Sequence, residues 1–372
     1  MFKVPFVNYS LQYKNLETEI NAAMKSVLNR GDLILRSDVE EFEKKMSEFL
    51  GVKYFISLNS GTDALIFALK AAKIGAGDEV ITVSHTFVAS IASIVHCGAK
   101  PVLVDVKEDF TMDMEKAEEA IMPRTKAILP VHLNGRMCDM ERLMEIANKH
   151  NLIIIEDSAQ ALGAKFKNKM AGTFGVAGCY SFYPAKILGT FGDGGGLATS
   201  DEKIAERTRL FRDHGQKTKT EILCFGWTSR LDNLQAAVLN IKIKHLNEWI
   251  ERRREIAAIY NKNLSDVSGI KLPPGPDSDK KYFDVFQNYV LRAEKRDELF
   301  AFLKEEGVET LIKDPIAVHF HPGLGLSDFH LPFSEDLAKK VISLPLYPEL
   351  TKEQIKYVIE SVRVFYKDGK SI

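Results

Sequence analysis

The segment from Leu152 to Thr199 decides the fold, and it begins Leu-Ile-Ile-Ile-Glu-Asp-Ser-Ala-Gln over residues 152–160. Four consecutive apolar residues, 152–155, are typical of a strand that is buried on both faces of a sheet. Two carboxylates, Glu156 and Asp157, follow this run directly. Because open α/β sheets bind ligands at the carboxyl ends of their strands, the pattern predicts a ligand site beside these acids.

The second half of the segment carries a lysine and a cluster of glycines. It reads Ser-Phe-Tyr-Pro-Ala-Lys over residues 181–186 and Gly-Asp-Gly-Gly-Gly over residues 192–196. Lys186 is the one charged residue between Lys169 and Asp193, and an apolar setting lowers the pKa of a lysine and makes it a nucleophile. A buried acid facing a lysine suits a cofactor with a basic ring nitrogen at one end and an aldehyde at the other. The segment therefore predicts a pyridoxal phosphate site.

Strands and helices are predicted to alternate through the first part of the chain. Predicted strands span residues 54–58, 79–83, 101–104, 126–131 and 152–155, and helical patterns separate them. The alternation predicts an α/β fold with a mostly parallel sheet, wound by right-handed crossovers.

The C-terminal third is predicted to form a separate, smaller α/β domain. Residues 231–264 contain neither glycine nor proline, which predicts one long helix or two helices that leave the large domain. A strand over residues 282–291 and a helix over residues 295–306 are expected beyond a proline-rich loop. The expected division places an N-terminal arm and a large cofactor-binding domain in residues 1–245, and a small domain in residues 246–372.

Two short patterns predict where helices begin. Ser37-Asp-Val-Glu40 and Thr351-x-x-Gln354 both have the spacing of a capping box, in which two side chains satisfy free N–H groups reciprocally. The first helix is expected to run to Leu50 and to stop at Gly51.

The composition excludes several classes of protein. The chain has 372 residues, of which 45% are hydrophobic and 27% charged, which is an ordinary globular balance. A net charge of −1 provides no field that would attract nucleic acid or an acidic membrane. The apolar runs are too short for a bilayer span or a signal peptide. The four cysteines are far apart and form no Cys-x-x-Cys pair, so we expect reduced thiols in a cytoplasmic protein.

A turn at Ser60-Gly61-Thr62 connects a predicted strand to a predicted helix. It would place free N–H groups and small hydroxyls at a helix N-terminus, which binds anions, although a plain N-cap would have the same sequence. Ser181 could donate to the same phosphate, or it is a buried hydroxyl bonded to the backbone. Asp63 would lie close to that phosphate, and it could point toward the substrate instead.

Three further residues could contact the flat ring of the cofactor. Asp157 would pair with a pyridinium nitrogen, or it caps the following turn, and Gln160 would reach the ring's phenolic oxygen. Phe87 could stack on the ring or pack in the core. His319 and His321 would lie on one face of a strand, but a metal site needs more ligands nearby, so no metal is predicted.

Taken together, these residues resemble the DegT/DnrJ/EryC1/StrS family of sugar aminotransferases, which have the aspartate-aminotransferase-like fold (fold type I). The resemblance covers most of the chain, and the motifs occur in the family's order. The motifs are Ser60-Gly61-Thr62, Gly77-Asp78-Glu79-Val80, Thr86-Phe87-Val88-Ala89, Pro130-Val131-His132-Leu133, Glu156-Asp157-x-Ala-Gln160, Ser181-Phe182-Tyr183-Pro184-x-Lys186, Gly192-Asp193-Gly194-Gly195, His214-Gly215 and Arg230-Leu231-x-x-Leu234-Gln235-Ala236-Ala237.

The resemblance implies a homodimer that binds pyridoxal phosphate near the subunit interface, with pyridoxamine phosphate as the intermediate form. It implies that the amino group of L-glutamate passes to a keto group of a nucleotide-linked sugar. Lys186 would be the Schiff-base lysine, and after its release it would move a proton between Cα and the cofactor's C4′. Asp157 would be the partner of the pyridinium nitrogen. The other implied cofactor contacts are Gly61, Thr62, Phe87, Gln160 and Ser181.

The sequence departs from the family pattern at three positions. Thr228 stands where an asparagine commonly reaches the partner subunit's phosphate, and Asn134 stands where an aromatic residue is frequent. Asp63 is similar to the branch that makes 3-amino sugars, which favours a keto group at C3 over C4. His319 and His321 are expected to line the sugar pocket.

Two other functions are compatible with the same fold. A sugar dehydratase of this family would replace the lysine with histidine, and Lys186 argues against that reading. A non-catalytic regulator would be expected to have a degenerate site, whereas Asp157, Gln160, Ser181 and Lys186 are all present.

Overall fold

The computed structural model describes residues 2–367, and strands alternate with helices through its N-terminal part. The strands, in chain order, are β1 (Tyr54–Leu58), β2 (Glu79–Val83), β3 (Lys100–Val104), β4 (Thr125–Ile128), β5 (Ile153–Asp157), β6 (Lys165–Phe166), β7 (Lys169–Met170), β8 (Ala177–Ser181), β9 (Gly195–Thr199), β10 (Gln216–Thr218), β11 (Glu221–Ile222), β12 (Ile270–Lys271), β13 (Tyr282–Phe283), β14 (Tyr289–Ala293) and β15 (Val341–Leu344). The α-helices, in chain order, are α1 (Tyr9–Arg30), α2 (Ser37–Leu50), α3 (Gly61–Ala71), α4 (Val88–His96), α5 (Met114–Glu119), α6 (Met140–His150), α7 (Glu202–Arg212), α8 (Asn233–Lys242), α9 (Leu246–Leu264), α10 (Arg296–Glu305), α11 (Pro332–Lys340) and α12 (Lys352–Lys367).

A seven-stranded sheet lies at the centre of the N-terminal part, with the strand order β1-β9-β8-β5-β4-β2-β3. Strand β9 runs antiparallel to both of its neighbours, and the other pairs in the sheet are parallel. The prediction of an α/β fold with a mostly parallel sheet is confirmed. Strand β5 lies in the middle of the sheet, so its carboxyl end is surrounded by the ends of its parallel neighbours.

Strand β5 is two residues longer at its carboxyl end than the predicted run. It ends at Asp157, so Glu156 and Asp157 are the last residues of the strand and do not follow it. Successive side chains of a strand point to opposite faces of the sheet, so the two carboxylates face in opposite directions.

One of the two predicted capping boxes is present. The Thr351 N–H donates to Gln354 Oε1 and the Gln354 N–H donates to Thr351 Oγ1, each at 3.2 Å, so this box is confirmed. The prediction at Ser37 is wrong, because Ser37 is already the first helical residue and Arg36 is the N-cap, without a side-chain capping bond. Helix α2 ends at Leu50, as predicted, and Gly51 follows in the left-handed conformation with φ of 70°.

The C-terminal part agrees with one prediction and differs from another. The segment 231–264, predicted as one long helix or two, forms two helices, α8 and α9, joined by a 3-10 turn over Ile243–His245. The predicted strand 282–291 is wrong as a single element, because the chain turns at Phe286, which has a φ of 50°. The segment therefore contributes β13 to one small sheet and β14 to another.

Two hydrophobic clusters contain most of the buried apolar side chains. The larger one surrounds the central sheet, and the smaller one joins α9, α10 and α12 to the sheet β12-β14-β15. Val4 packs in the smaller cluster and pairs with Val308, although the predicted division places the N-terminal arm in the large domain. Within residues 2–367, the structure contains no helix whose length and apolar character would allow it to cross a membrane.

Glu156 holds together the loop that connects β7 to β8. Its fully buried carboxylate accepts the N–H groups of Gly172, Phe174 and Gly175 at 2.8, 2.6 and 2.8 Å. His132 Nε2 lies 3.0 Å from the same carboxylate. Because His132 Nδ1 accepts the Cys138 N–H at 3.2 Å, the single ring proton is on Nε2 and is donated to Glu156.

We predict that Glu156→Gln lowers the free energy of unfolding by about 2–4 kcal/mol, because the new NH₂ group would face buried N–H donors that need an acceptor. The measurement is urea denaturation of the cofactor-free protein. Glu141→Gln is the matched control, because Glu141 forms a surface ion pair with Lys167, and its expected effect is below about 1 kcal/mol. Equal free energies of unfolding for the two variants would contradict the role of Glu156 as the acceptor that holds the loop.

Candidate active site

A cavity of about 590 Å³ lies at the carboxyl ends of the central strands. Its walls come from three parts of the chain: the N-terminal arm, the loops after the central strands, and the C-terminal part. Seven of the residues predicted from the sequence line it together. They are Gly61, Thr62, Phe87, Asp157, Gln160, Ser181 and Lys186.

Asp157 lies at the end of β5 with both carboxylate oxygens held by hydrogen bonds. Ser90 on α4 donates to Oδ2 at 2.7 Å, and the Ala159 N–H donates to Oδ1 at 3.1 Å. Ser90 Oγ also lies 2.8 Å from Thr86 Oγ1, so a row of buried hydroxyls leads to the carboxylate. These bonds fix the orientation of Asp157, while it continues to line the cavity.

Lys186 reaches the same cavity from the loop after β8. Its pKa is lowered to about 8, mainly by burial and also by the nearby charge of Lys313, while the charge of Asp157 opposes both effects. The loop is held by the side-chain amide of Gln287, which accepts the Ile187 N–H at 3.0 Å and donates to the Ala185 carbonyl at 2.7 Å. A residue of the C-terminal part therefore fixes the backbone on both sides of the lysine.

The N-terminus of α3 forms one end of the cavity. Ser60 is the N-cap and accepts the Asp63 N–H at 3.0 Å, which leaves the N–H groups of Gly61 and Thr62 without intrahelical acceptors. Ser181 lies against this turn, since a Cβ added at Gly61 would be 2.9 Å from the Ser181 Cβ. The helix N-terminus and two hydroxyl groups converge here, which is an arrangement that binds a phosphate.

Gln160 presents an amide NH₂ group to the cavity. Its Oε1 accepts the Asn134 N–H at 2.9 Å and the Asn288 side chain at 3.3 Å. Because the amide oxygen is occupied in this way, the NH₂ group is left to donate to a ligand oxygen. Asn134 supports this contact with its backbone in the left-handed region, at a φ of 58°.

Phe87 is 55% exposed, so it does not pack in the core. It precedes α4 directly, as the N-cap residue, and its ring is on the cavity wall. An exposed aromatic ring beside a cavity is available to stack on a flat ligand.

Two predicted residues lie beside the cavity and do not line it. Asp63 Oδ2 accepts a hydrogen bond from Ser229 at 2.7 Å, which turns its carboxylate toward the segment after β11. Thr228 is exposed and its Oγ1 lies 3.0 Å from His214 Nε2. Thr228 therefore faces outward, where it is accessible to a second molecule.

The two predicted histidines also lie away from the cavity. His319 is fully buried, and its Nδ1 lies 2.7 Å from Ser84 Oγ. His321 is exposed on the surface. We therefore do not assign either of them a substrate contact. Within residues 2–367, no group of three or more His, Cys, Asp and Glu side chains is arranged to hold a metal ion.

Four residues that shape the site were not among its predicted members. Ser90 is buried behind the cavity against Asp157, and Gln287, Asn288 and Lys313 line it. Ser90, Gln287 and Asn288 act through side-chain hydrogen bonds between distant parts of the chain, and a single sequence carries no signal for such pairs. Lys313 precedes His319 and His321, which were expected at the sugar pocket, but its own place on the cavity wall becomes apparent only once the loop is folded.

The donor groups of this cavity fit pyridoxal phosphate. A carboxylate whose orientation is fixed by hydrogen bonds suits a ring nitrogen, and a lysine with a lowered pKa suits an aldehyde. The free N–H groups of α3 with Ser181 and Thr62 suit the phosphate, and the free amide NH₂ of Gln160 suits the phenolic oxygen.

Several known proteins are similar to this chain over almost its whole length. The "Pleiotropic regulatory protein" of Geobacillus stearothermophilus is 43% identical, with 98% of this chain and 99% of the relative aligned. The dTDP-3-amino-3,4,6-trideoxy-alpha-D-glucose transaminase of Streptomyces venezuelae is 42% identical over 97% and 96% of the two chains. The solved structure of NtdA from Bacillus subtilis, with bound cofactor PMP, has a TM-score of 0.90 at 32% identity and covers 97% of this chain and 85% of its own.

The family comparison agrees with the geometry of the cavity. The model of the DegT/DnrJ/EryC1/StrS aminotransferase family matches residues 14–363. The chain belongs to this family of pyridoxal-phosphate-dependent aminotransferases.

Proposed function

We propose that this aminotransferase moves the amino group of L-glutamate to a keto group at C3 of a nucleotide-linked sugar. The observation that carries the proposal is the shared cavity of Lys186, Asp157 and the N-terminus of α3. The nucleotide sugar is supported by the name of the Streptomyces venezuelae relative, which is a transaminase of a dTDP-linked 3-amino sugar. The position C3 is supported by the same name and by Asp63.

The residues of the cavity divide the work of binding and proton transfer. When bound, pyridoxal phosphate supplies an electron-withdrawing ring that stabilises negative charge on the carbon that loses a proton. Asp157, held by Ser90, would pair with the ring nitrogen, and Phe87 and Gln160 would orient the ring. Lys186 Nζ would accept the proton from Cα of the substrate and return it, for which a pKa of about 8 is suitable near neutral pH.

We also propose that the enzyme is a homodimer with shared active sites. The hairpin of β10 and β11 and the segment after it expose apolar side chains, with Ile222 67%, Leu223 53% and Phe225 98% exposed. A contiguous apolar surface of this kind is typical of a protein interface. Thr228 directly follows this surface and faces outward, which suits a contact with the partner's phosphate. The four free cysteines support a cytoplasmic location.

A non-catalytic regulator is the second candidate function, and the name of the Geobacillus stearothermophilus relative favours it. The orientation of the site residues argues for catalysis, because a regulator has no need of a lysine with a lowered pKa opposite a fixed carboxylate.

We predict that mixing the cofactor-loaded enzyme with L-glutamate abolishes the visible absorbance of the bound cofactor and releases stoichiometric 2-oxoglutarate. Adding a nucleotide-linked 3-ketosugar should then restore the absorbance, and NMR of the product should show the new amine at C3. Lys186→Ala should neither release 2-oxoglutarate nor form the aminated sugar. Lys167→Ala, which changes an exposed lysine, should behave as the wild type.

Three results would count against this function. Cofactor uptake without release of 2-oxoglutarate would favour the dehydratase or another amino donor. A protein that takes up no pyridoxal phosphate would favour the regulator. Faster restoration of the absorbance by a 4-ketosugar would overturn the assignment of C3.

The lowered pKa of Lys186 predicts the pH dependence of cofactor uptake. The neutral amine is the nucleophile, so the rate should rise with pH and level off above about pH 8, whereas an ordinary lysine would continue to gain up to about pH 10. The measurement is the rate of absorbance change when cofactor-free enzyme is mixed with pyridoxal phosphate. Nα-acetyl-lysine, whose side-chain amine is free, is the reference amine. A rate that rises in parallel with the reference up to about pH 10 would show that burial does not activate Lys186.

Gly61→Ala is predicted to weaken cofactor binding by about tenfold or more, because a methyl group 2.9 Å from the Ser181 Cβ separates the α3 N-terminus from Ser181 and costs a charged hydrogen bond. The dissociation constant of pyridoxal phosphate is measured by absorbance titration of the cofactor-free protein. Gly323→Ala is the control, since a Cβ added there meets nothing within 4 Å. An unchanged dissociation constant for Gly61→Ala would contradict the assignment of the phosphate site to this end of the cavity.

A further inference from the structure

Lys313 lies on the cavity wall across from the cofactor-binding residues. Its loop follows α10 and is fixed to β15, because Leu311 and Ser343 exchange two backbone hydrogen bonds, of 3.2 and 2.8 Å. This anchoring directs the Lys313 side chain into the cavity, with Nζ 5.7 Å from the centre of the Phe87 ring. Lys313 and Lys186 line the same cavity, and the charge of Lys313 contributes to the lowered pKa of Lys186.

Lys313 has no hydrogen-bond or ion-pair partner among residues 2–367. The carboxylates of Asp314 and Asp157 act on it only through their longer-range charge, and burial lowers the pKa of the ammonium group. Asp157 is committed to Ser90 and to the cofactor ring. A partly buried ammonium group without a partner is costly, and an anionic ligand would remove that cost.

The other cationic side chains of the cavity have at least one fixed contact. Arg253 Nη1 donates to the backbone carbonyls of Phe286, Gln287 and Leu346, at 3.3, 3.3 and 2.9 Å, although its buried Nε has no partner. His132 is bonded to Glu156 through Nε2, and Lys186 is the reacting amine. Among the basic side chains on the cavity wall in the described part of the chain, Lys313 is the one held by no hydrogen bond to a carboxylate or a carbonyl and not assigned to the reaction itself.

The chemistry of the reaction indicates which anion this is. An α-amino acid donor carries a carboxylate on the same carbon that must lie beside Lys186, whereas a nucleotide-linked keto sugar carries its negative charge on the diphosphate at C1 and none on the keto carbon. A fixed ammonium group close to Lys186 is placed to bind that carboxylate. We propose that Lys313 binds the α-carboxylate of the amino donor. The inference rests on the proposed function and adds the residue that recognises the donor class.

The first test measures binding without reaction. The enzyme in its pyridoxal phosphate form does not transaminate 2-oxoglutarate, so the dissociation constant of this acid can be measured by calorimetry. Lys313→Met should raise the constant by about 10- to 100-fold, which corresponds to one hydrogen bond to a charged group. Lys313→Arg should recover most of the affinity. Lys339→Met, which removes an exposed lysine on α11, should match the wild type.

The second test identifies the carboxylate. The half-reaction is followed with L-glutamate and with 4-aminobutyrate, which keeps one carboxylate but lacks the one on the amino-bearing carbon. The wild type should prefer L-glutamate, and Lys313→Met should lose most of that preference by reacting more slowly with L-glutamate alone. The same variant should retain most of its rate with a 3-ketosugar nucleotide whose sugar carries no carboxylate, when each enzyme is measured at its own pH optimum, because removing the Lys313 charge also raises the pKa of Lys186.

The outcomes separate the inference from the proposed function. If the wild type reacts with no α-amino acid, the proposed function fails. If it reacts, but Lys313→Met binds 2-oxoglutarate and discriminates between the two donors as the wild type does, the role of Lys313 is overturned. If the variant loses only its reaction with a sugar that carries its own carboxylate, the anion belongs to the acceptor and the donor assignment is wrong.

Discussion

The opposite orientation of two adjacent carboxylates at the end of β5 is the constraint on which the site depends. Strand geometry turns Glu156 toward the loop before β8 and Asp157 toward the cavity. Glu156 holds three N–H groups and His132, so the loop leads the chain back into the sheet beside β5. That pairing places Ser181, and then Lys186, at the same edge as Asp157.

The C-terminal part of the chain completes the site from the other side. Gln287 bonds to the backbone on both sides of Lys186, and Asn288 occupies the amide oxygen of Gln160. Both residues follow the turn at Phe286, where the expected single strand is broken. The unusual backbone of Phe286 therefore has a role, since in a continuous strand these two adjacent side chains would point to opposite faces of the sheet and could not both reach the cavity.

Local patterns were enough to predict the sheet and the residues at its edge. The apolar run before Glu156, the turn at Ser60 and the isolation of Lys186 from other charges each depend on neighbours in the sequence. The residues that orient the site depend on contacts between positions far apart, such as Ser90 with Asp157 and Gln287 with Ile187. The capping pattern at Ser37 failed for a different reason. The helix begins at Ser37 itself, one residue earlier than a capping box with Ser37 as the N-cap requires.

The balance of charge in the cavity separates the two substrates of the reaction. Lys186, Lys313 and Arg253 are basic and Asp157 and Asp193 are acidic, so one positive charge exceeds the acids on the wall once the cofactor's phosphate is matched by the α3 N-terminus. A donor carboxylate bound at Lys313, as proposed, would neutralise that excess, whereas the sugar itself carries its charge on the diphosphate. The sugar would then be held mainly through its nucleotide and hydroxyl groups. Donor and acceptor can then share one reacting lysine without competing for the same polar contacts.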